Sequence, residues 1–447
     1  MFLKISCKRY AAFGLFAACI ALLHTPATAQ AADADLSLQQ AAKRVLSSHP
    51  QLQVFDWRIK AAEGQQQRSE LKPGFELGIE VDNVLGSGEM SGVKSAEVTV
   101  SLSSVIELGD KRQARMAVAN ANQALILAQQ QAHSLDLLGE LTQRYIAVLT
   151  LQQKVALAVQ TVNMAEQAFT LVRQRVQHGG APQAEQLRAQ VALRQAQLQH
   201  GLLQVELQSS KQLLASLWGA SQVDFNQVSG DLFLLADSPS FQTLYQQVLS
   251  TPAVEVYAAQ QRASDALLAL TQSQSASDVR WQIGAVRSQE NHDFGLSAGF
   301  SVSLFDKQRN QGAVAATRAE AQAEQYEKET ALLNLRARLY QAWQTHRYSV
   351  MAVKDMQRDI LPALEQALQQ TEQAYSRGRY GYAEWMSARQ ALQDAQLELV
   401  NAASTALSNQ ALIEQLAGVA LSSGSIMTNL APTQSSSHIA TGTGVSK

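Results

Sequence analysis

The chain has 447 residues with 36 basic and 38 acidic side chains, so it lacks the basic excess that is typical of nucleic-acid-binding proteins. Its residues are 46% hydrophobic but only 6% aromatic, and Ala, Leu and Gln predominate, a mixture that favours helices. Both cysteines, Cys7 and Cys19, lie near the N-terminus. We therefore expect neither a disulfide nor a cysteine metal ligand in the mature protein.

Residues 1–29 have the pattern of a secretory signal peptide. The apolar run Ala11–Leu23 follows basic residues, and Ala27-Thr28-Ala29 supplies a small-residue cleavage site. Lipid attachment at Cys19 is the alternative, but the apolar run continues past Cys19, which favours cleavage after Ala29. No later stretch reaches the roughly 20 apolar residues of a transmembrane helix. The exported chain is therefore expected to be soluble in the periplasm, secreted, or part of an outer-membrane β-barrel.

The first half changes from helical to extended patterns and back. Residues 30–72 predict short helices. In 73–105, apolar residues alternate with polar ones around Leu77 and again around Val100, which predicts a β-hairpin. Helical spacing returns in 106–218, where about 67 residues without proline predict a helix on the order of 100 Å long. A glycine turn and a shorter return helix complete a helical hairpin.

The second half repeats this plan. Residues 219–277 predict a connector and helices, 278–305 a second β-hairpin, and 306–418 a second long helical hairpin. Pro362 predicts a kink in the second long helix, where the first half has Asn163. The Ser-, Thr- and Gly-rich residues 419–447 predict a disordered tail.

The tips of the two helical hairpins are similar in sequence. Aligning Gly179 with Gly378 also pairs Glu185 with Glu384 without a gap. Glycine adopts the positive φ that ends a helix, so we expect each glycine to form the turn of its hairpin. The match indicates a tandem duplication.

Four strands with one apolar face have the length and alternation of transmembrane β-strands. One chain cannot close a barrel with four strands, because open edges in lipid leave backbone groups unpaired. Three copies would supply twelve strands and an open channel, whereas two would supply eight and an interior filled by side chains. The alternative is a soluble periplasmic coiled-coil scaffold in which the strands form only a cap.

This duplicated order resembles the TolC-type outer-membrane efflux proteins over about residues 36–418. The resemblance implies a mainly α fold with a small β part: a homotrimer with a 12-stranded outer-membrane β-barrel and a long periplasmic α-barrel. It also implies an outer-membrane location in a Gram-negative bacterium with most of the chain in the periplasm. The expected partners are outer-membrane lipid, a periplasmic adaptor protein and an inner-membrane pump of the RND type.

Two strand-to-helix junctions are similar to the cobalt–zinc–cadmium (CzcC-like) branch. The segment Glu107–Arg112 is similar to that branch's ELGGKR. Leu304–Gly312 is similar to its LPLFDRNQG, but Ser303 replaces the proline and a Lys-Gln pair is inserted. Asp110 and Asp306 are predicted helix N-caps. The junction residues predicted to matter are Gly109, Asp110, Lys111, Arg112, Asp306, Arg309, Asn310 and Gly312.

The resemblance implies that the tips dock on the adaptor and gate the tunnel. The candidate residues are Gly179, Gly180, Glu185, Tyr375, Arg377, Gly378, Arg379 and Glu384. In a trimer Glu384 would form a carboxylate ring that attracts cations, or it would only stabilise a helix N-terminus through the helix dipole. Arg377 and Arg379 contact the adaptor, line the gate, or form an ordinary exposed turn.

No catalytic or phosphate-binding motif is present, and the eight histidines are scattered without helical zinc spacing. We therefore expect no enzymatic activity, no cofactor and no resident metal. The leading hypothesis is the channel of a three-part efflux system for divalent heavy metals. The alternatives are the same fold serving multidrug efflux or type I secretion, and the soluble scaffold.

Overall fold

The computed structural model describes residues 35–418. The predicted signal peptide, Cys19 and the predicted tail at 419–447 lie outside the described residues. Within 35–418 the fold is mainly α with a small β part, as predicted, and it contains two short helices that were not predicted separately, Phe241–Val248 and Asp306–Arg309.

The first half contains four helices and two strands. Ser37 caps the first helix through a reciprocal bond with Gln40, and Pro50 opens the second, since proline suits the first helical turn. The elements are α1 (Leu38–Ser48), α2 (Pro50–Glu70), β1 (Glu76–Asp82), β2 (Glu97–Ile106), α3 (Lys111–Gln177) and α4 (Gln183–Ala215).

The second half repeats this order and differs in its long helix. A connector leads into it, with one short helix that the sequence did not distinguish. The elements are α5 (Phe241–Val248), α6 (Pro252–Ser273), β3 (Val279–Ser288), β4 (Phe294–Val302), α7 (Asp306–Arg309), α8 (Gln311–Asp355), α9 (Leu361–Ser376) and α10 (Tyr382–Ala417).

The four strands form one antiparallel sheet in the order β1-β2-β3-β4. The central β2–β3 pair joins the two halves, with Ile106 opposite Val279. Apolar side chains of the edge strands are largely exposed, among them Leu77 at 71% and Phe300 at 85%. The sheet therefore presents an apolar face that the rest of the described chain leaves uncovered.

The helices extend from the sheet as packed hairpins. Helix α3 contacts α2, α4, α6 and α10, and α10 also contacts α8 and α9. None of the described helices combines the length and the apolar composition needed to cross a membrane.

The buried core is divided along the length of the molecule. The largest cluster joins α1, the middle of α3, the connector and α10, and a second joins α5, α8 and α10. His346 is fully buried, with Nδ1 3.0 Å from the carbonyl of Ala406 and Nε2 2.9 Å from that of Ala236. A third, smaller cluster lies at the hairpin tips.

The second long helix is interrupted as Pro362 predicted, but by a different geometry. A π-helical turn, Met356–Ile360, lies between α8 and α9 and directly precedes Leu361 and Pro362. Proline has no N–H for the carbonyl four residues earlier and its ring crowds that carbonyl. The wider turn accommodates both effects, whereas α3 is one continuous helix through Asn163.

Candidate functional site at the hairpin tips

The two tips have the same backbone structure. At the first, Gly179 has φ +73° and the N–H of Gly180 donates to the carbonyl of Arg175 at 2.7 Å. At the second, Gly378 has φ +72° and the N–H of Arg379 donates to the carbonyl of Ala374 at 2.8 Å. Both helices thus end through a left-handed glycine that satisfies terminal carbonyls, as the duplicated sequence predicted.

Three aromatic side chains hold the tip of the second hairpin. Tyr375, only 1% exposed, stacks on Trp385 with ring centroids 4.8 Å apart and an interplanar angle of 20°. Tyr382 meets both rings edge-on. These rings pack on Val172 and Ala189 of the first hairpin. The cluster gives the far end of the molecule an apolar contact between its two hairpins.

The hydroxyl of Tyr375 reaches the first hairpin. It donates to Glu185 Oε2 at 2.9 Å. Burial, followed by the hydrogen bond to the Glu185 carboxylate, raises the pKa of Tyr375 to about 12. The tyrosine therefore remains a hydrogen-bond donor throughout the physiological pH range, and the two predicted site residues Glu185 and Tyr375 are joined directly.

Arg175 completes this contact and was not predicted from the sequence. Its guanidinium lies over the Tyr375 ring, 4.3 Å from the centroid, and donates to the carbonyl of Tyr375 and, at 3.0 Å, to that of Gly180. The residue that aligns with Arg175 in the second half is Ala374. The two copies also differ at most neighbouring positions, so the sequence alone carries no signal that singles out Arg175.

The other predicted tip residues lie outside this cluster. Arg377 and Arg379 are exposed in the second turn. Glu384 is exposed in the first turn of α10. A Cβ on Gly381 would lie 2.7 Å from Glu384 Oε2, so this carboxylate folds back over the start of its own helix, where the helix dipole favours negative charge.

Asp110 lies at the predicted N-cap position, but neither junction aspartate caps a helix through its side chain. Asp110 occupies the N-cap position of α3 but has φ 54°, and its side chain makes no capping bond. Asp306 is the first residue of the four-residue helix α7, preceded by Phe305 with φ 66°. Because a capping side chain works from an extended backbone, these left-handed turns place the carboxylates elsewhere. The long helix of the hairpin predicted over 306–418 starts later than residue 306, since α8 begins at Gln311.

The junctions instead connect neighbouring elements. Lys111 Nζ lies 2.8 Å from Asp278 Oδ1, which also accepts the N–H of Leu108 at 3.1 Å. Arg112 donates to the carbonyl of Glu70 at 3.3 Å, and the Asn310 amide donates to Ser275 Oγ at 3.0 Å. The first junction therefore ties β2 and α3 to the segment that leads into β3.

The remaining junction residues differ in their surroundings. Gly109 has φ +76°, and a Cβ there would lie 2.6 Å from that of Ala276. Arg309 is exposed at the end of α7, and a Cβ on Gly312 would meet open space. Across residues 35–418, no group of three or more His, Cys, Asp or Glu side chains is placed to hold a metal ion.

Comparison with known proteins identifies the family. The model of the outer membrane efflux protein family matches residues 41–220 and 243–419. The chain belongs to this family. This match confirms the resemblance to the TolC-type efflux proteins, and two relatives confirm the resemblance to the CzcC-like branch.

Two relatives carry names that refer to metal resistance. The cobalt-zinc-cadmium resistance protein CzcC of Cupriavidus metallidurans is 24% identical over 362 residues, which cover 81% of this chain and 85% of CzcC. The nickel-cobalt-cadmium resistance protein NccC of Alcaligenes xylosoxydans xylosoxydans is 27% identical over 58% of each chain. A solved structure of CusC, a protein that forms a transmembrane channel, has the same fold, with a TM-score of 0.73 at 15% identity, covering 89% of this chain and 96% of CusC.

Proposed function

We propose that the protein is the outer-membrane channel of a three-part efflux system that exports divalent heavy-metal cations. The observation that carries the proposal is the match to CzcC along 81% of the chain. The name of NccC supports the same class of substrate. The channel is a passive duct without enzymatic activity. An inner-membrane RND-type pump drives the export of the cations, and a periplasmic adaptor connects this pump to the channel.

The unpaired surfaces of the single chain support a homotrimer. Strands β1 and β4 each have one edge with no partner strand in residues 35–418, so β4 of one copy pairs with β1 of the next to close a twelve-stranded barrel. Helix α4 carries an exposed apolar row that includes Leu187, Val191 and Leu198, and α8 carries Tyr326 and Leu333. Neighbouring copies would cover these rows in the periplasmic tunnel.

The tip is the proposed gate and adaptor contact. The adaptor would bind the exposed turns of the two hairpins, which contain Gly179, Gly180, Arg377, Gly378 and Arg379. The contacts of Tyr375 and Glu185 would hold the two hairpins of each chain together in the closed state. The Glu384 carboxylate lies over the start of α10 and is solvent-exposed, so its negative charge would attract cations near the entrance.

Membrane fractionation with two matched variants tests this assembly. We expect the wild-type protein in outer-membrane fractions as a trimer that dissociates on heating in detergent. Phe300→Asp removes a large apolar side chain from the exposed apolar face of β4 and places a charge there; it should abolish the trimer, because charged side chains on the lipid face destabilise a membrane barrel. Ser301→Asp, on the opposite face of the same strand, should leave it intact.

The alternative functions give different results. A soluble monomer for the wild type would contradict the channel and favour a periplasmic scaffold. Equal trimer yields for Phe300→Asp and Ser301→Asp would contradict the proposed orientation of the sheet in the membrane.

A further inference from the structure

Two arginines connect the helical hairpins of one chain, one at the tip and one further from the turn along the helices. Arg175 of α3 donates to the carbonyl of Tyr375 at the end of α9. Arg389 of α10 is 7% exposed and donates in the opposite direction, to the carbonyl of Thr161 in α3 at 3.1 Å. Each hairpin thus supplies a guanidinium to the backbone of the other, with the aromatic cluster near them.

The contacts of Arg175 are suited to fixing the position of Tyr375. The guanidinium lies over the Tyr375 ring, and the Trp385 ring stacks on the same Tyr375 ring. The same guanidinium binds the carbonyl of Tyr375 and the carbonyl of Gly180. It therefore ties the end of α9 to the turn that follows α3. Only arginine offers several donors in one rigid plane together with a face that stacks on an aromatic ring.

Tyr375 depends on this fixation for its bond across the hairpins. Its hydroxyl reaches Glu185 on α4 at 2.9 Å, and a rotation of its backbone would move the hydroxyl away from that carboxylate. Arg175 is the described side chain that holds both the backbone and the ring of Tyr375. Since the second copy of the repeat has Ala374 at the equivalent position, each chain contains one such clamp.

We infer that Arg175 is a positioning residue of the tip gate: it fixes Tyr375 so that the hydroxyl bonds Glu185 and the two hairpins stay together in the closed state. The inference rests on the proposed function as a gated channel. It extends that function by assigning the closed state to an arginine on the first hairpin, and it predicts that opening requires this guanidinium to leave the ring and carbonyl of Tyr375.

Single-channel recording of the purified full-length protein in planar lipid bilayers tests the inference. Arg175→Met keeps an unbranched apolar side chain but removes the guanidinium with its donors and its charge. We expect its open probability to rise on the order of tenfold, which is the effect of losing about one hydrogen bond to a charged group. Arg175→Lys, which keeps the charge but not the planar fork, should give an intermediate rise. The matched control is Arg173→Met, since Arg173 is exposed and, among residues 35–418, its recorded contact is with the Phe169 ring of its own helix.

A double variant separates positioning from simple packing. If Arg175 acts through Tyr375, Arg175→Met should add little to the open probability of Tyr375→Phe, and the melting temperature of the trimer should stay near that of the wild type. Additive effects of the two substitutions would overturn the inference. It would also be overturned if Tyr375→Phe opens the channel while Arg175→Met has the same open probability as Arg173→Met. Either result would leave the channel function standing. If Arg175→Met does not assemble, the same comparison is made with Arg175→Lys. An absence of conductance in every variant, Tyr375→Phe included, would overturn the channel function itself.

Discussion

Single residues set the geometry at both ends of the long helices. Gly109 and Gly179 have nearly the same left-handed backbone, with φ +76° and +73°. Their surroundings differ: a Cβ on Gly109 would lie 2.6 Å from the Cβ of Ala276, whereas a Cβ on Gly179 would have nothing within 4 Å. The pair therefore separates backbone strain from close packing.

We predict that Gly109→Ala destabilises the protein more than Gly179→Ala. Both changes should cost about 1 kcal/mol through the positive φ, and Gly109→Ala should cost a further 1–3 kcal/mol, roughly, through overpacking. Thermal unfolding of the two purified variants beside the wild type measures the difference. Equal melting temperatures would show that the junction tolerates an added methyl group and that the contact with Ala276 is not a constraint.

At this scale the sequence predicted conformations that depend on one residue type. Gly179 and Gly378 were assigned to turns because glycine adopts positive φ without strain, and both do so. The aspartate caps were wrong because Asp110 and Phe305 adopt positive φ themselves. Nothing in their residue types requires this conformation; it follows from how the strand enters the helix.

Helices and strands show how two copies of one repeat can differ mechanically. Helix α3 runs unbroken from Lys111 to Gln177. Its counterpart is divided by the π-helical turn Met356–Ile360, next to Pro362. Since π-turns and proline both weaken the regular hydrogen-bond ladder, the second hairpin should bend more easily than the first.

We predict that Pro362→Ala slows amide hydrogen exchange in residues 356–360. Alanine supplies the N–H that proline lacks and removes the ring that crowds the carbonyl of Arg358. The slowing should be on the order of tenfold or more, because proline in a helix interior costs about 3 kcal/mol. Asn163→Ala in α3 is the control and should leave exchange in the first hairpin unchanged. If exchange in 356–360 does not respond to Pro362→Ala, the local weakness has another cause.

Periodicity is what made these elements predictable. Spacing of 3.6 residues identified the long helices and alternation identified the four strands. The π-turn was not predictable in this way, because one extra residue in a turn leaves almost no periodic signal. The short helix α5 was not distinguished because its eight residues directly follow an irregular connector.

The whole molecule is an internal duplication whose halves meet at two distant places. Near one end, β2 pairs with β3 and Lys111 binds Asp278. At the other, Arg175 and Glu185 of the first hairpin hold Tyr375 of the second. The duplication was visible in the sequence, and so were the residue types at the tips. The Arg175 contact was not, because it depends on how the hairpins lie beside each other rather than on either repeat alone.

The central claim is that this chain is the exit duct for divalent heavy metals. Its most direct test is the zinc, cobalt and cadmium content of cells that lack the protein, measured by mass spectrometry after metal exposure beside accumulation of a fluorescent drug. We predict that the deletion strain retains more of at least one metal, that the wild-type gene restores export and Phe300→Asp does not, and that drug accumulation is unchanged. Unchanged metal content together with raised drug accumulation would contradict the metal assignment and indicate a drug-efflux channel instead.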